Sequence, residues 1–169
     1  LTLFPYTTLF RSNKKALLSL AIGGFGIGLT EFVIMGILPN IAGSLDISIP
    51  KAGHFIAIYA LGVVIGAPVM ARITNNLNPK KTLLFLMVWF TIFNTLSAFS
   101  DNYWAMMLFR FLSGMPHGAF FGIGAVVSGY LAKPGKAAQA MAVMFSGLTV
   151  ANIIGVPLGT YIGQELHWR

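Results

Sequence analysis

Two side chains of fixed charge stand inside long apolar runs: Glu31 in GGFGIGLTEFVIMGILP and Arg110 in YWAMMLFRFLSGMPHG. If those runs cross a bilayer, each charge costs at least ~2.5–3.5 kcal/mol on insertion scales, so both demand a reason. Glu31 lies eight residues before Pro39 and Arg110 seven after Tyr103, which at 1.5 Å per residue puts them ~12 and ~10 Å from their span ends. The spacing predicts one shared depth. A carboxylate there, near a cation such as Arg110, can be poised to load and release a proton or can mark a substrate site; a structural ion pair is the plainer alternative. His117 follows Arg110 by seven residues, on the same helix face, and directly after Pro116, whose missing N–H predicts a local kink. Tyr59 shares a face with Gly62 and Gly66, and Asn152 recurs with Ser146 and Thr149 at a spacing of three. These three (Tyr59, His117 and Asn152) are weaker candidates for a solute cavity, since such groups also serve as interhelical hydrogen bonds. His54, near a span end, is expected to be interfacial.

The elements that must position these groups follow from composition. The chain has 169 residues, 56% hydrophobic and only 9% charged, with 19 glycines and no cysteine. Soluble domains carry roughly 25% charged residues, so this surface suits lipid rather than water. The same apolar excess excludes a disordered chain. The absent cysteines exclude a disulfide framework or thiolate metal site, and neither metal nor cofactor is expected. No hydrolase elbow, phosphate loop or zinc-protease motif is present, so an enzyme is not expected; Ser113 and His117, four apart, are the thin candidates for a membrane hydrolase.

Five stretches are long and apolar enough to span a membrane, at about 16–38, 52–71, 82–100, 103–131 and 137–162. The expected fold class is therefore all-α, a polytopic membrane protein. Lys14, Lys15, Arg72, Lys80, Lys81, Lys133 and Lys136 flank the spans on one side, against Lys51 and Arg169 on the other. The positive-inside rule then places the amino terminus in the cytoplasm. Clusters between apolar runs are topological signals, and no nucleic-acid partner is expected.

Small residues four apart mark helix contacts in bilayers. Gly24 and Gly28, Gly62 and Gly66, Gly114, Gly118 and Gly122, and Gly155, Gly159 and Gly163 predict tight packing of spans one, two, four and five. Span three has no glycine and is expected at the lipid-facing periphery.

The ends stand apart from this pattern. TLFPYTTLFRS, from Thr2 to Ser12, resembles the codon-by-codon translation of a common sequencing-adapter oligonucleotide, so residues 1–13 are taken as an artefactual, disordered leader and 14–169 as the membrane domain. A signal peptide is the competing reading, and the basic residues after the short apolar stretch oppose it. The chain is expected to be a fragment.

Several strings resemble the major facilitator superfamily of secondary transporters, and within it the proton-coupled efflux branch of the arabinose efflux permease type. They are EFVIMG from Glu31, GH at 53–54 ahead of YALGVVIGAP from Tyr59, Arg110 with SGMPHGAFFG, and TVANIIGVPLGT from Thr149. The resemblance implies five helices of the amino-terminal half of that fold and a role for Arg110 in proton coupling. It also implies an antiporter motif at Gly155, Pro157 and Gly159. The loop between spans two and three, from Arg72 on, departs from the family: Asn75 and Asn76 stand where aspartate and arginine are expected, and Lys80 and Lys81 alone keep the basic character. Implied partners are the bilayer, protons, a small polar solute (a sugar or sugar derivative) and a carboxy-terminal half that completes the cavity. A multidrug exporter on the same fold, or a polytopic receptor or assembly protein, are the alternatives.

Overall fold

A computed structural model describes residues 13–166 and 168, so the leader expected over 1–13 lies, apart from Asn13, outside the described residues. Among those residues the regular secondary structure is helix, joined by short turns. Helix α1 spans Asn13–Gly36, α2 Leu38–Ser44, α3 Ile49–Ala52, α4 His54–Thr74, α5 Pro79–Ala98, α6 Tyr103–Leu131, α7 Ala137–Val150 and α8 Val156–Glu165. Five membrane-length apolar segments result: Lys14–Gly36, Ile49–Thr74, Pro79–Ala98, Tyr103–Leu131 and Ala137–Glu165. The second joins α3 to α4 across Gly53, and the fifth joins α7 to α8.

Local chemistry sets the boundaries. Ser48, Asn78 and Asn102 cap α3, α5 and α6, their side-chain oxygens accepting from the backbone N–H of Lys51, of Lys80, and of Trp104 and Ala105. Pro39, Pro50 and Pro79 occupy first-turn positions, where a missing N–H costs nothing. Pro157 has a different effect. It sits inside the fifth span, and the turn before it, Ala151–Gly155, widens to π-helix. A wider turn accommodates a proline ring and the carbonyl it leaves without a donor.

The helices pack as two units. In one, α4 lies against α6 at backbone distance: a Cβ on Gly62 would meet the Phe111 carbonyl, and one on Gly114 the Tyr59 carbonyl. Helix α5 packs on the other side of α6 and turns Leu84, Val88 and Ile92 outward, as expected of a lipid-facing span. In the second unit α1 lies against α7 and α8, where Gly155, Gly159 and Gly163 pack on Leu29, Val33 and Ile37. The units meet where Gly124 faces Met144 and Phe121 stacks on Phe145, with ring centroids 5.2 Å apart.

Two glycine expectations need correction. Gly122 is exposed and a Cβ there would touch nothing, because each step of four residues rotates about 40° and a second step carries it off the α4 face. The closest approach in the second unit is at Gly147, against the Ala21 carbonyl, a position that the four-residue pattern passed over.

Candidate functional site

Two apolar clusters fill the interior, one around Ile27, Phe90 and Met144, the other around Ile34, Phe55 and Met106. Between them lies a polar layer, and it contains both charges expected within the spans. Arg110 is only 3% exposed. Its guanidinium lies 4.3 Å from the Tyr59 ring centroid, a cation–π contact between α6 and α4. Its Nη1 donates to Asn94 Oδ1 at 3.4 Å, and Asn94 is oriented for this because its Nδ2 donates to the Phe90 carbonyl. Nε and Nη2 meet no acceptor among the described residues.

Tyr59, 2% exposed, places its hydroxyl 3.1 Å from His117 Nδ1. The same nitrogen lies 3.7 Å from Glu31 Oε2, whose side chain keeps 26% of its exposure. A continuous set of contacts therefore runs from Glu31 on α1 to His117 on α6, Tyr59 on α4, Arg110 on α6 and Asn94 on α5. Glu31 and Arg110 share this layer and are close enough to interact electrostatically. The near neighbour of Glu31 is nonetheless His117, and the guanidinium stacks on a ring.

Other candidates fall outside the cluster. Asn152 is exposed in the π turn and donates to the Leu148 carbonyl; Ser146 and Thr149 likewise bond back to their own helix. Gly155 and Gly159 seat α1, whereas Pro157 is exposed. Arg72, Asn75, Lys80 and Lys81 are exposed around the α4–α5 connection. His54 pairs with the Tyr103 hydroxyl at 2.7 Å. Ser113 donates to the Arg110 carbonyl at 3.0 Å while His117 turns to Tyr59 and Glu31, which separates the only nucleophile–base pair considered for a hydrolase.

Sequence reasoning missed the polar residues around Arg110. A cavity of about 260 Å³ between α1, α5, α6 and α8 is lined by Thr30, Asn94, Ser97 and Arg110 among apolar side chains. Asn94 was legible as a lone amide inside an apolar span, but the missing glycines drew that helix as wholly lipid-facing.

The geometry is that of membrane-length helices around a buried charge layer, in which Ser113 and His117 face different partners. A family model described as Major Facilitator Superfamily matches residues 20–169. The chain belongs to the major facilitator superfamily. It is 51% identical over 156 residues to the putative transporter AraJ of Escherichia coli K12, covering 92% of this chain and 40% of that protein. It is 50% identical over 153 residues to the inner membrane transport protein YdhP of the same strain, covering 90% and 39%. A chloramphenicol resistance protein of Streptomyces lividans is 28% identical over 150 residues, covering 89% and 38%. The chain thus spans about 40% of the length of the curated relatives it matches. It is a multi-pass membrane protein from a family of transporters, not of enzymes, and its helices are those of the amino-terminal half of that fold.

Proposed function

We propose that the whole protein exchanges protons for a small polar solute, a sugar or sugar derivative, and exports it. The observation that carries this reading is a carboxylate, Glu31, set within a membrane span 3.7 Å from His117 and in the same layer as a buried guanidinium. Intramembrane ionisable groups mark ion and substrate pathways. Glu31 is partly open and Arg110 is closed off, so Glu31 is the group that loads the proton and Arg110 the fixed countercharge. Tyr59, His117 and Asn152 offer hydrogen bonds of the kind a polyhydroxylated solute needs. Gly155, Pro157 and Gly159 shape the fifth span. The basic loop at Arg72, Lys80 and Lys81, with Asn75, faces the cytoplasm, as does the amino terminus, in the bacterial inner membrane. Residues 14–169 are the membrane part of this reading, 1–13 a leader, and a carboxy-terminal half completes the cavity.

The test is flux through the full-length transporter in proteoliposomes under an imposed pH gradient. Glu31→Gln is expected to lose the proton-driven component and keep solute counterflow. Gradient-driven flux undiminished in Glu31→Gln would refute the coupling. A second reading, drug export on the same fold, is favoured by the similarity to the chloramphenicol resistance protein. Inhibition of flux by chloramphenicol, and none by pentoses or hexoses, would select it.

A further inference from the structure

Three groups meet at one nitrogen. His117 Nδ1 lies 3.1 Å from the Tyr59 hydroxyl and 3.7 Å from Glu31 Oε2. An imidazole nitrogen has one in-plane position, filled by either a proton or a lone pair. Protonated, Nδ1 donates to the Glu31 carboxylate. Unprotonated, it accepts a single hydrogen bond, and the Tyr59 O–H at 3.1 Å is better placed to give it than a protonated Glu31 at 3.7 Å. The two partners are therefore rivals, and they sit on different units of the bundle. Tyr59 and His117 both belong to the glycine-locked α4–α6 pair, whereas Glu31 rides on α1, packed against α7 and α8.

We propose that His117 is a positioning residue that reports the protonation of Glu31 to the α4–α6 pair by switching tautomer. With Glu31 ionised, Nδ1 carries the proton and the bond crosses between units. When Glu31 takes up a proton it becomes a neutral acid and its claim on the Nδ1 proton weakens. That proton is exchanged through water for one on Nε2, the ring stays neutral, and Nδ1 accepts from Tyr59. The cross-unit link opens and the internal one closes. Here the Tyr59 hydroxyl stands in hydrogen-bond range of Nδ1 and Glu31 just beyond it, the heavy-atom spacing that the second state requires. The ring is 14% exposed, and the exchange uses that open face. The titratable and charged groups facing His117 are Glu31 from α1, Tyr59 from α4 and, across the Tyr59 ring, Arg110 of its own helix. Helix α7 carries no titratable side chain and faces the site through the Phe121–Phe145 stack, and α5 contributes the neutral Asn94.

The inference rests on the proposed role of Glu31 as proton carrier. It is tested on the full-length transporter in lipid nanodiscs, with ¹⁵N-labelled histidine and the His117 signal assigned by its loss in His117→Gln. The wild type is expected to pass from the Nδ1–H to the Nε2–H tautomer as pH falls through the Glu31 carboxyl titration followed by infrared absorption. Glu31→Gln is expected to hold the Nε2–H form at every pH. Tyr59→Phe, a smaller change that keeps the ring under Arg110, is expected to reduce the Nε2–H population at low pH several-fold. A tautomer indifferent to both substitutions overturns the switch. Failure of the two readings is separable: a tautomer that follows Glu31 while proton-driven flux survives Glu31→Gln sinks the coupling reading alone. Lost flux with an indifferent tautomer sinks the switch alone.

Discussion

Replacing Gly66 with alanine sets a methyl group onto the backbone of Met115 in the facing helix, at its Cα and carbonyl. Carbon atoms rest about 3.5–4.0 Å apart, so α4 and α6 must separate by roughly 1.5 Å. No side-chain rotation relieves this, because the obstacle is backbone. A gap of that size forfeits at least about half of each dispersion contact along the interface. Overpacking of this kind costs about 1–3 kcal/mol, offset by up to about 1 kcal/mol from the better helix propensity of alanine. Gly122→Ala is the control: same helix bundle, same chemistry, no neighbour within 4 Å of the new carbon. Unfolding of the full-length protein in mixed micelles is the assay, read as the difference between the two variants. Gly66→Ala should be the less stable by about 1 kcal/mol or more. Equal stability would refute the claim that backbone contact between α4 and α6 holds this unit together.

Asn94→Leu removes the side-chain acceptor of a buried guanidinium, and a loss of about 1.5 kcal/mol is expected in the same assay, at the low end for charged hydrogen bonds because 3.4 Å is long. Gln164 Nε2 donates to the Gly36 carbonyl at 2.8 Å, where α1 ends; Gln164→Ala should cost about 0.5–1 kcal/mol, with faster amide exchange confined to the α1–α2 junction. Arg110→Met should leave the protein as stable as before, or up to about 2 kcal/mol more so, while abolishing proton-driven flux in proteoliposomes. A large destabilisation would show that the guanidinium is a brace.

The depth of the two charges was legible because the cost of an ion in hydrocarbon leaves few reasons to put one there, and counting residues from Pro39 and Tyr103 needs no tertiary information. Contact faces of α4 and α6 were legible for a similar reason: only glycine admits a neighbouring backbone. Gly147 was not, because the residue four on is Ala151, which interrupts the run of glycines although it is itself small and buried, and the contact depends on where α1 happens to run. The partner of Glu31 was beyond reach for the same reason. Spacing on one helix tells which of its residues share a face, but whether Glu31 meets Arg110 or His117 depends on the offset between α1 and α6. Asn94 shows the converse error, in which one true property of α5, its lipid-facing side, concealed the inner face that reaches Arg110.

The Arg110 expectation follows from what the buried charge receives in return for desolvation. Breaking even in a dry interior takes good geometry and satisfied donors. Here the guanidinium has one long hydrogen bond and one aromatic face, and two of its nitrogens meet no acceptor among the described residues. Methionine at this position would keep most of the volume and the contact with Tyr59 while shedding the desolvation cost. A group that gives the fold so little and is nevertheless enclosed by Tyr59 and Asn94 is one whose placement serves something other than stability. That is why stability and flux should move in opposite directions in Arg110→Met, and why measuring both in one variant separates a working charge from a structural one.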